Sequence, residues 1–510
     1  MEIYATMMFR YFSLLLTFFL LSSCITSDDT INLKDQKEFL SFKFERELNS
    51  EYLSESVSGS IKDQSINLMI SDVVDISSMI ASFEFEGKSV YVESEQQESG
   101  VSLNDYSRPV VYKVHAEDGS IVTYEVQVTL LPDVASKVPH LYIQTDNNQP
   151  IDSKEDYLYA DLQIDGKEVY DDFEGRTRIR GRGNDSWNQP KKPYRLKLDE
   201  KASLLGLLPE KDWILRSNYR AESLMLDAVA FRMAGLLGMP FTNHAVPVDV
   251  TVNGEYMGSY TFTEQKEVKP NRINVVDGGM YLNLDVYMHK PPGMFYSDLF
   301  ALPVMVRYPK FNDFTPDEVR RELDKAKSDF HTMEAVVAEA GFPDNTYSDY
   351  FDVEDFVNYL IVYNLSLNRE INHPKSTYMH KQKDGKYKMG PVWDFDWAFG
   401  YNPGQNTHFN NPQQSLFVEG DLKGNIFFSR FLEDPVVQAL YKERWEDFKI
   451  NKYPELVVYI LDYAETISGS YELDYAVWGQ GVGSSELAAQ LLIDWLNQRI
   501  VYMDSFAADL

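Results

Sequence analysis

Cysteine, positive charge and long apolar segments are all scarce in this chain of 510 residues. Its single cysteine, Cys24, excludes a disulfide framework within the chain. Lysine and arginine number 48 against 79 aspartates and glutamates, which gives a formal net charge of −31. This balance argues against nucleic acid as a partner, because an acidic surface repels phosphate. After residue 24 no apolar run is long enough to span a bilayer.

The first 24 residues have the pattern of an export signal. Arg10 precedes a short apolar run over 12–21, which fits the core of a signal peptide better than a membrane span. Leu-Ser-Ser-Cys at 21–24 then resembles a bacterial lipobox, in which the cysteine is lipidated. We therefore predict a lipoprotein signal over 1–24, lipidation at Cys24, a tether over 25–36, and a cell-envelope protein anchored to a bacterial membrane outside the cytoplasm. A non-cleaved anchor or a plain secretory signal is the alternative.

Residues 37–132 alternate between apolar and polar side chains in short segments, which is the period of β-strands. In one such segment Ile66, Leu68 and Ile70 recur at every second position. An Asp-Gly turn at 118–119 separates two further alternating runs, which is a strong hairpin signal. The spacing predicts a small all-β sandwich of immunoglobulin-like size. We interpret it as a spacer, with a sugar-binding module as the alternative.

Between residues 137 and 508 strands come first and helices dominate later. A hairpin turns at Asn253-Gly254, and a capping box at 315–318 with Pro316 at the first helical position begins a helix. This order predicts an α+β domain in two lobes.

The first candidate functional segment is a glycine-containing turn rich in positive charge. Gly181 and Gly183 allow backbone amides to approach phosphate oxygens. The basic residues around them are Arg178, Arg180, Arg182, Lys191, Lys192, Arg195 and Lys197. A phosphate site is one interpretation and a twisted hairpin with a solvated basic face is the other, since two glycines in a turn are common.

The second segment, Trp393-Asp394-Phe395-Asp396, places two carboxylates two residues apart in an aromatic setting. In an extended strand both would point to the same side. Their charges need compensation, for which a hard divalent cation such as magnesium or manganese is suited. The alternative is that one aspartate caps a turn and the other pairs with an arginine.

The third segment is the polar loop over 368–380, which follows an apolar helical stretch at 353–367. Glu370 in this loop could orient or deprotonate a nucleophile. On its own the loop is equally compatible with ordinary loop chemistry.

Together these segments resemble the CotH (spore coat protein H-type) kinase family over about residues 137–505. The resemblance is carried by 181–187 (GRGNDSW), 190–194 (PKKPY), 253–260 (NGEYMGSY), Glu264 and 393–396 (WDFD). It implies an atypical, two-lobed protein-kinase-like fold. It also implies metal-dependent transfer of the γ-phosphate of ATP to serine or threonine of a protein, or to another hydroxyl acceptor.

The resemblance also implies a role for each matching residue. The turn would cover the phosphates through Gly181, Gly183, Asn184 and Ser186. Lys191 or Lys192 would pair with the phosphates, Glu264 would help to hold that lobe, and Asp394 or Asp396 would bind magnesium or manganese. Asn368 and Glu370 would form the catalytic loop.

The catalytic loop departs from the family pattern at two positions. Glu370 stands where the family has an aspartate, and Ser376 stands where many members have an asparagine. A misplacement near 1 Å can cost roughly a hundredfold in rate. The alternative function is therefore a non-catalytic surface-binding protein or adhesin with a kinase-like fold, for which carbohydrate is a candidate ligand.

Overall fold

The computed structural model describes residues 34–71, 75–276, 278–287 and 293–510. The predicted signal peptide, the lipidation site at Cys24 and most of the tether lie outside these ranges. Within them, every helix is too short or too polar to cross a membrane.

The N-terminal region consists of ten short strands in two sheets. The strands are β1 (Glu38–Phe44), β2 (Val57–Ser58), β3 (Ser60–Lys62), β4 (Ser65–Ile70), β5 (Met79–Glu86), β6 (Ser89–Val92), β7 (Glu95–Gln97), β8 (Leu103–Asn104), β9 (Val110–His115) and β10 (Ile121–Leu130). One sheet has the order β2-β1-β5-β8 and the other β3-β4-β10-β9-β6-β7. Alternate residues of both sheets form a separate aromatic core around Phe42, Phe83 and Tyr112. The all-β character of this region is confirmed, whereas its boundaries at 37 and 132 stay a prediction.

Seven strands then close into a barrel. They are β11 (His140–Thr145), β12 (Leu158–Asp165), β13 (Phe173–Gly181), β14 (Tyr194–Ala202), β15 (Glu210–Arg216), β16 (Val246–Val252) and β17 (Glu255–Glu264). Their order is β11-β12-β13-β14-β15-β17-β16, and parallel pairing of β11 with β16 completes the ring. The hairpin at Asn253-Gly254 joins β16 to β17. Helix α1 (Leu226–Leu236) connects β15 to β16, and its residues belong to the core outside the barrel.

The rest of the chain is a five-stranded sheet surrounded by helices. The strands are β18 (Met280–Leu284), β19 (Met294–Tyr296), β20 (Pro303–Tyr308), β21 (Thr377–Lys381) and β22 (Lys388–Met389), in the order β19-β20-β18-β21-β22. The helices are α2 (Pro316–Ala338), α3 (Tyr347–Tyr350), α4 (Val353–Leu365), α5 (Lys423–Arg430), α6 (Pro435–Asp447), α7 (Tyr453–Trp478) and α8 (Ser485–Asp509). The mixed α+β class is therefore confirmed.

Two features of this region follow directly from local sequence. Helix α2 begins at the predicted capping box, where the side chains of Thr315 and Glu318 each accept a hydrogen bond from the other's backbone N–H. Helix α4 is buried along most of its length, since ten of its 13 residues are buried. The loop that follows α4 is thereby fixed from one side, and it carries Asn368 and Glu370.

Candidate functional site

Arg216 is the centre of a cluster of carboxylates. It is the last residue of β15, and its Nη2 lies 3.2 Å from Oδ1 of Asp394 and 3.0 Å from Oδ1 of Asp396. Its Nε pairs with the carboxylate of Asp227 in α1, and the two side chains are only 5% and 2% exposed. One buried cation therefore joins both aspartates of the 393–396 segment to an acidic residue of a helix.

The backbone at Asp394 is not the extended strand that the sequence predicted. Its φ is +72°, in the left-handed region that aspartate adopts more readily than most residues. Ser376 Oγ donates to Oδ2 of Asp394 (3.1 Å), and Nδ2 of Asn368 donates to the Asp394 carbonyl (3.2 Å). The expectation of an extended segment was wrong, but the turn still brings both carboxylates to the same guanidinium.

Three cations lie against the ring of Trp393. The Nζ of Lys266 is 3.7 Å from the ring centroid, and the guanidinium carbons of Arg216 and Arg182 are at 4.8 and 5.7 Å. Lys266 also lies 4.5 Å over the ring of Tyr378. Within the described residues its ammonium has no hydrogen-bond acceptor and no ion-pair partner. The site therefore contains an amine that has no hydrogen-bond acceptor among the described residues but interacts with the charge of Asp394.

Charge and burial determine the protonation states around Asp394. Burial opposes ionisation of Asp394, but Arg216, Lys375 and Lys266 outweigh it and hold the pKa of Asp394 well below its usual range. Burial, reinforced by the charge of Arg182, lowers the pKa of Lys266 well below its ordinary value. Burial raises the pKa of Asp227 to about 6 despite its contact with Arg216. The aspartate that faces the cations is thus firmly ionised.

Glu370 lies in the loop that also supports Asp394. Its side chain is 7% exposed and forms an ion pair with Lys375, and its backbone N–H donates to Oδ1 of Asn368 at 3.2 Å. Burial, reinforced by the charge of Asp394, raises the pKa of Glu370 to about 8. Lys375 also lies 5.7 Å over the ring of Trp397, an exposed aromatic side chain beside the site. The carboxyl group of Glu370 therefore accepts a proton far more readily than an ordinary glutamate.

The glycine turn lies next to the acidic segment. Gly183 has a φ of +88°, a conformation that favours glycine, and its carbonyl accepts from Lys154 at 3.2 Å. Arg220 donates to Asp185 of the turn (3.0 Å) and to the hydroxyl of Tyr401 (3.1 Å). Asn184 is exposed and Ser186 is partly buried. The turn therefore reaches the acidic segment through Arg182, whose guanidinium lies over the ring of Trp393.

The two lysines expected at the phosphates, and the glutamate expected to help hold that lobe, have other partners. Lys191 is fully buried and pairs with Asp474 of α7. Lys192 donates to the Trp187 carbonyl at 2.8 Å. Glu264 pairs with His244, and a hydrogen bond from the backbone N–H of His244 (2.9 Å) adds to that contact.

Gly181 has a packing role, because a Cβ there would overlap the ring of Trp187. The side of Gly181 that would carry a side chain is therefore closed by the indole. Its backbone N–H donates to the Ser153 carbonyl at 2.8 Å, so this amide already has a partner within the fold.

Sequence reasoning did not single out Arg216, Asp227 or Lys266 as site residues. Arg216 directly follows the apolar residues 213–215, and Asp227 directly precedes the apolar residues 228–231. A charged side chain in such a setting needs a buried partner. Lys266 follows β17 by two residues and carried no comparable signal.

Two family models match separate parts of the chain. The family model described as "CotH kinase protein" matches residues 178–503. The model described as "SGBP, N-terminal" matches residues 40–128. No curated protein matches the chain.

Among solved structures, a candidate glycoside hydrolase from Bacteroides thetaiotaomicron VPI-5482 is similar at 14% identity. The match covers 57% of this chain and 86% of that chain, with a TM-score of 0.17. A TM-score this low supports no argument about fold or function.

Proposed function

Because this chain belongs to the CotH kinase protein family over residues 178–503, we propose that it transfers the γ-phosphate of ATP to a hydroxyl acceptor with the help of a divalent metal. The observation that carries the proposal is the contact of one buried arginine, Arg216, with Asp227, Asp394 and Asp396. Phosphoryl transfer asks a protein mainly for positioning and charge neutralisation, and this cluster offers both.

The Arg216–Asp227 pair supports a kinase-like arrangement of two lobes. Protein kinases join a cation on a strand to an acidic residue on the next helix, beside a metal-binding aspartate. Here the cation ends a barrel strand, the acid lies in α1, and Asp394 lies beside them. An arginine in this position offers five N–H donors, so it can bind the three carboxylates and still face a phosphate.

The donor set around Asp394 fits magnesium or manganese. Asp394 and Asp396 are carboxylates that share one guanidinium, and hard cations prefer oxygen ligands. Asp394 would hold the metal together with Asp396, and Ser376 and Asn368 would keep Asp394 in orientation. A bound metal would neutralise charge on the phosphates.

Arg182 and Lys266 are the proposed phosphate-binding cations, in place of Lys191 and Lys192. Both lie on Trp393 next to the glycine turn, and Lys266 has no protein acceptor among the described residues. A phosphate oxygen would supply that acceptor. The backbone of Gly183 would approach the same phosphates, as its left-handed conformation allows.

Glu370 is the proposed base for the acceptor hydroxyl. Its raised pKa of about 8 favours uptake of a proton. Asn368 would hold the loop, because it accepts a hydrogen bond from the backbone N–H of Glu370. Lys375 would orient the carboxylate of Glu370 through their ion pair. Since a glutamate is longer than an aspartate, we expect slow turnover compared with family members that have aspartate at this position.

The match of residues 40–128 to the SGBP N-terminal model supports a location on the surface of a bacterial cell. A tether lipidated at Cys24 would hold the protein there, with the sandwich as a spacer. A surface-binding role for the sandwich remains compatible with catalysis in the second half of the chain.

The direct test is incubation of the purified protein with γ-labelled ATP and Mg²⁺ or Mn²⁺. We expect autophosphorylation that falls at least about a hundredfold in Asp394→Asn, because the metal loses one carboxylate ligand and Arg216 loses one of its three anionic partners. Asp344→Asn, at an exposed position in another loop, should behave as wild type. Absence of label with either metal, or label that survives Asp394→Asn, would contradict the proposal.

A further inference from the structure

A basic cavity of about 350 Å³ shares none of the residues assigned to the candidate active site. Its walls come from 240–241, which follow α1, from 272–274, and from the hairpin over 380–388. Four lining residues are cationic and none is acidic: Arg272, Lys381, Lys386 and Lys388. In a chain with a net charge of −31 this is an unusual concentration of positive charge.

Arg272 is one of the lining residues and carries an unsatisfied donor. It is 4% exposed, and its Nη1 donates to Oε1 of Glu267 (2.6 Å) and to the Gln265 carbonyl (3.2 Å). Its Nη2 is buried without a hydrogen-bond partner within the described residues. Glu267 also faces Lys310 at 3.6 Å, so its single charge is shared between two cations. A buried donor of this kind is costly unless a ligand supplies the acceptor.

The remaining polar groups leave the cavity with a net positive character. Lys381 and Lys388 pair with Asp329 (2.9 Å) and Asp352 (3.2 Å). Lys386 is exposed and has no ion pair within the described part of the chain. Lys386 therefore adds a free positive charge at the mouth of the cavity.

His380, which also lines the cavity, adds no charge of its own. Burial lowers its pKa to about 4, so it is neutral near pH 7. Its imidazole can serve there as a hydrogen-bonding group for a polar ligand.

The lining of the cavity also contains apolar residues and an amide. The apolar residues are Pro240, Phe241 and Ile273, and the amide belongs to Asn274. The volume is at the lower end of small-molecule sites, which hold roughly 300–1,000 Å³. An aromatic ring and an aliphatic surface pack against the apolar faces of a sugar ring, and an amide binds its hydroxyls.

We propose that this cavity binds one acidic sugar unit, with the anionic group on Arg272 and Lys386 and the ring against Phe241. A uronate and a sugar phosphate share this chemistry. The site is independent of the proposed phosphoryl transfer, since its lining residues do not include the aspartates or the cations at Trp393.

The test is calorimetric titration of the purified protein with galacturonate, glucose 6-phosphate, inorganic phosphate and neutral galactose. We expect both acidic sugars to bind, more tightly than inorganic phosphate or galactose. Lys386→Glu should weaken their binding about tenfold or more, because it replaces a charge-assisted contact by repulsion. Lys383→Glu makes the same charge change on an exposed residue of the same hairpin outside the cavity and should leave binding unchanged.

Several results would overturn this assignment. If neither acidic sugar binds at millimolar concentration, the cavity is not a sugar site. Equal losses in Lys386→Glu and Lys383→Glu would mean that only the general charge of the hairpin attracts anions. Inorganic phosphate binding as tightly as glucose 6-phosphate would remove the sugar from the assignment. The tighter of the two acidic sugars identifies the carboxylate or the phosphate as the preferred anion.

Discussion

Replacing Arg216 by methionine tests the charge arrangement on which the candidate site depends. Methionine keeps an unbranched apolar stem but leaves Asp227, Asp394 and Asp396 without their shared cation. Removing one partner of a buried ion pair usually costs about 3–5 kcal/mol. We expect the lower end, about 3 kcal/mol at pH 7, because burial already raises the pKa of Asp227 to about 6 and the acid can escape by taking up a proton.

This loss should be measured by thermal and chemical denaturation of both proteins. At roughly 2–4 °C per kcal/mol for a domain of 150–250 residues, the melting temperature should fall by about 6–12 °C. Arg220→Met is the matched control, because Arg220 lies four residues further on and pairs with the exposed Asp185. An exposed pair of this kind contributes about 0–1 kcal/mol.

The pH dependence gives the result that can refute this reasoning. Without the cation of Arg216, the pKa of Asp227 in the folded state rises further above its value of 3.8 in an ordinary setting. Between the pKa of Asp227 in the unfolded chain and its higher pKa in the folded variant, the folded variant holds a proton that the unfolded chain has released. The stability of the variant therefore falls as pH rises between these two values. The deficit relative to wild type should be larger at pH 8 than at pH 5, and Mn²⁺ should reduce it. A deficit that does not change with pH, or a loss equal to that of Arg220→Met, would refute a charge-compensating role for Arg216.

Three further outcomes test other parts of the structure. Lys191→Met should lower the free energy of unfolding by about 3–5 kcal/mol, because Lys191 and Asp474 form a fully buried pair. Adding Asp474→Leu should recover part of this loss. Unchanged stability with lost ATP binding would instead identify Lys191 as a phosphate ligand. Burial raises the pKa of Asp355 to about 7, so the stability of the wild type should fall as pH rises from about 4 to 7. In urea denaturation, the free energy of unfolding of Asp355→Asn should depend less on pH over this range. Gly424→Ala should lower the melting temperature, since the added Cβ would overlap a backbone carbonyl of the candidate catalytic loop. In the control Gly341→Ala the Cβ meets open space, so the melting temperature should not change. Equal melting temperatures of the two variants would contradict the packing described for Gly424.

The parts of the fold that local sequence determines were predictable. The capping box at 315–318 and the Asn253-Gly254 turn depend on residues within a few positions of one another, and both form as expected. Family membership was predictable for a related reason, because four short motifs and Glu264 kept their order along the chain. It is confirmed over 178–503.

The partners of the charged side chains could not be read from the sequence. The family resemblance implied that Lys191 or Lys192 pairs with the phosphates, yet the partner of Lys191 is Asp474, 283 residues away in the chain. Arg216 is separated from Asp394 and Asp396, two of the three aspartates it binds, by 178 and 180 residues. Such pairings depend on how the barrel, α1 and the loop after β22 pack together, and local periodicity carries no information about that packing.

The strands that end each sheet bear on how this protein behaves when it is crowded. In the described part of the chain, the barrel has no free edge, because β11 pairs with β16. The outermost strands of the other three sheets are β2, β8, β3, β7, β19 and β22, and each is only two or three residues long. Unpaired edges recruit strands from neighbouring molecules, and very short edges offer too few backbone groups to do so. The fold therefore disfavours strand exchange between copies, which would let many molecules lie side by side without forming fibrils.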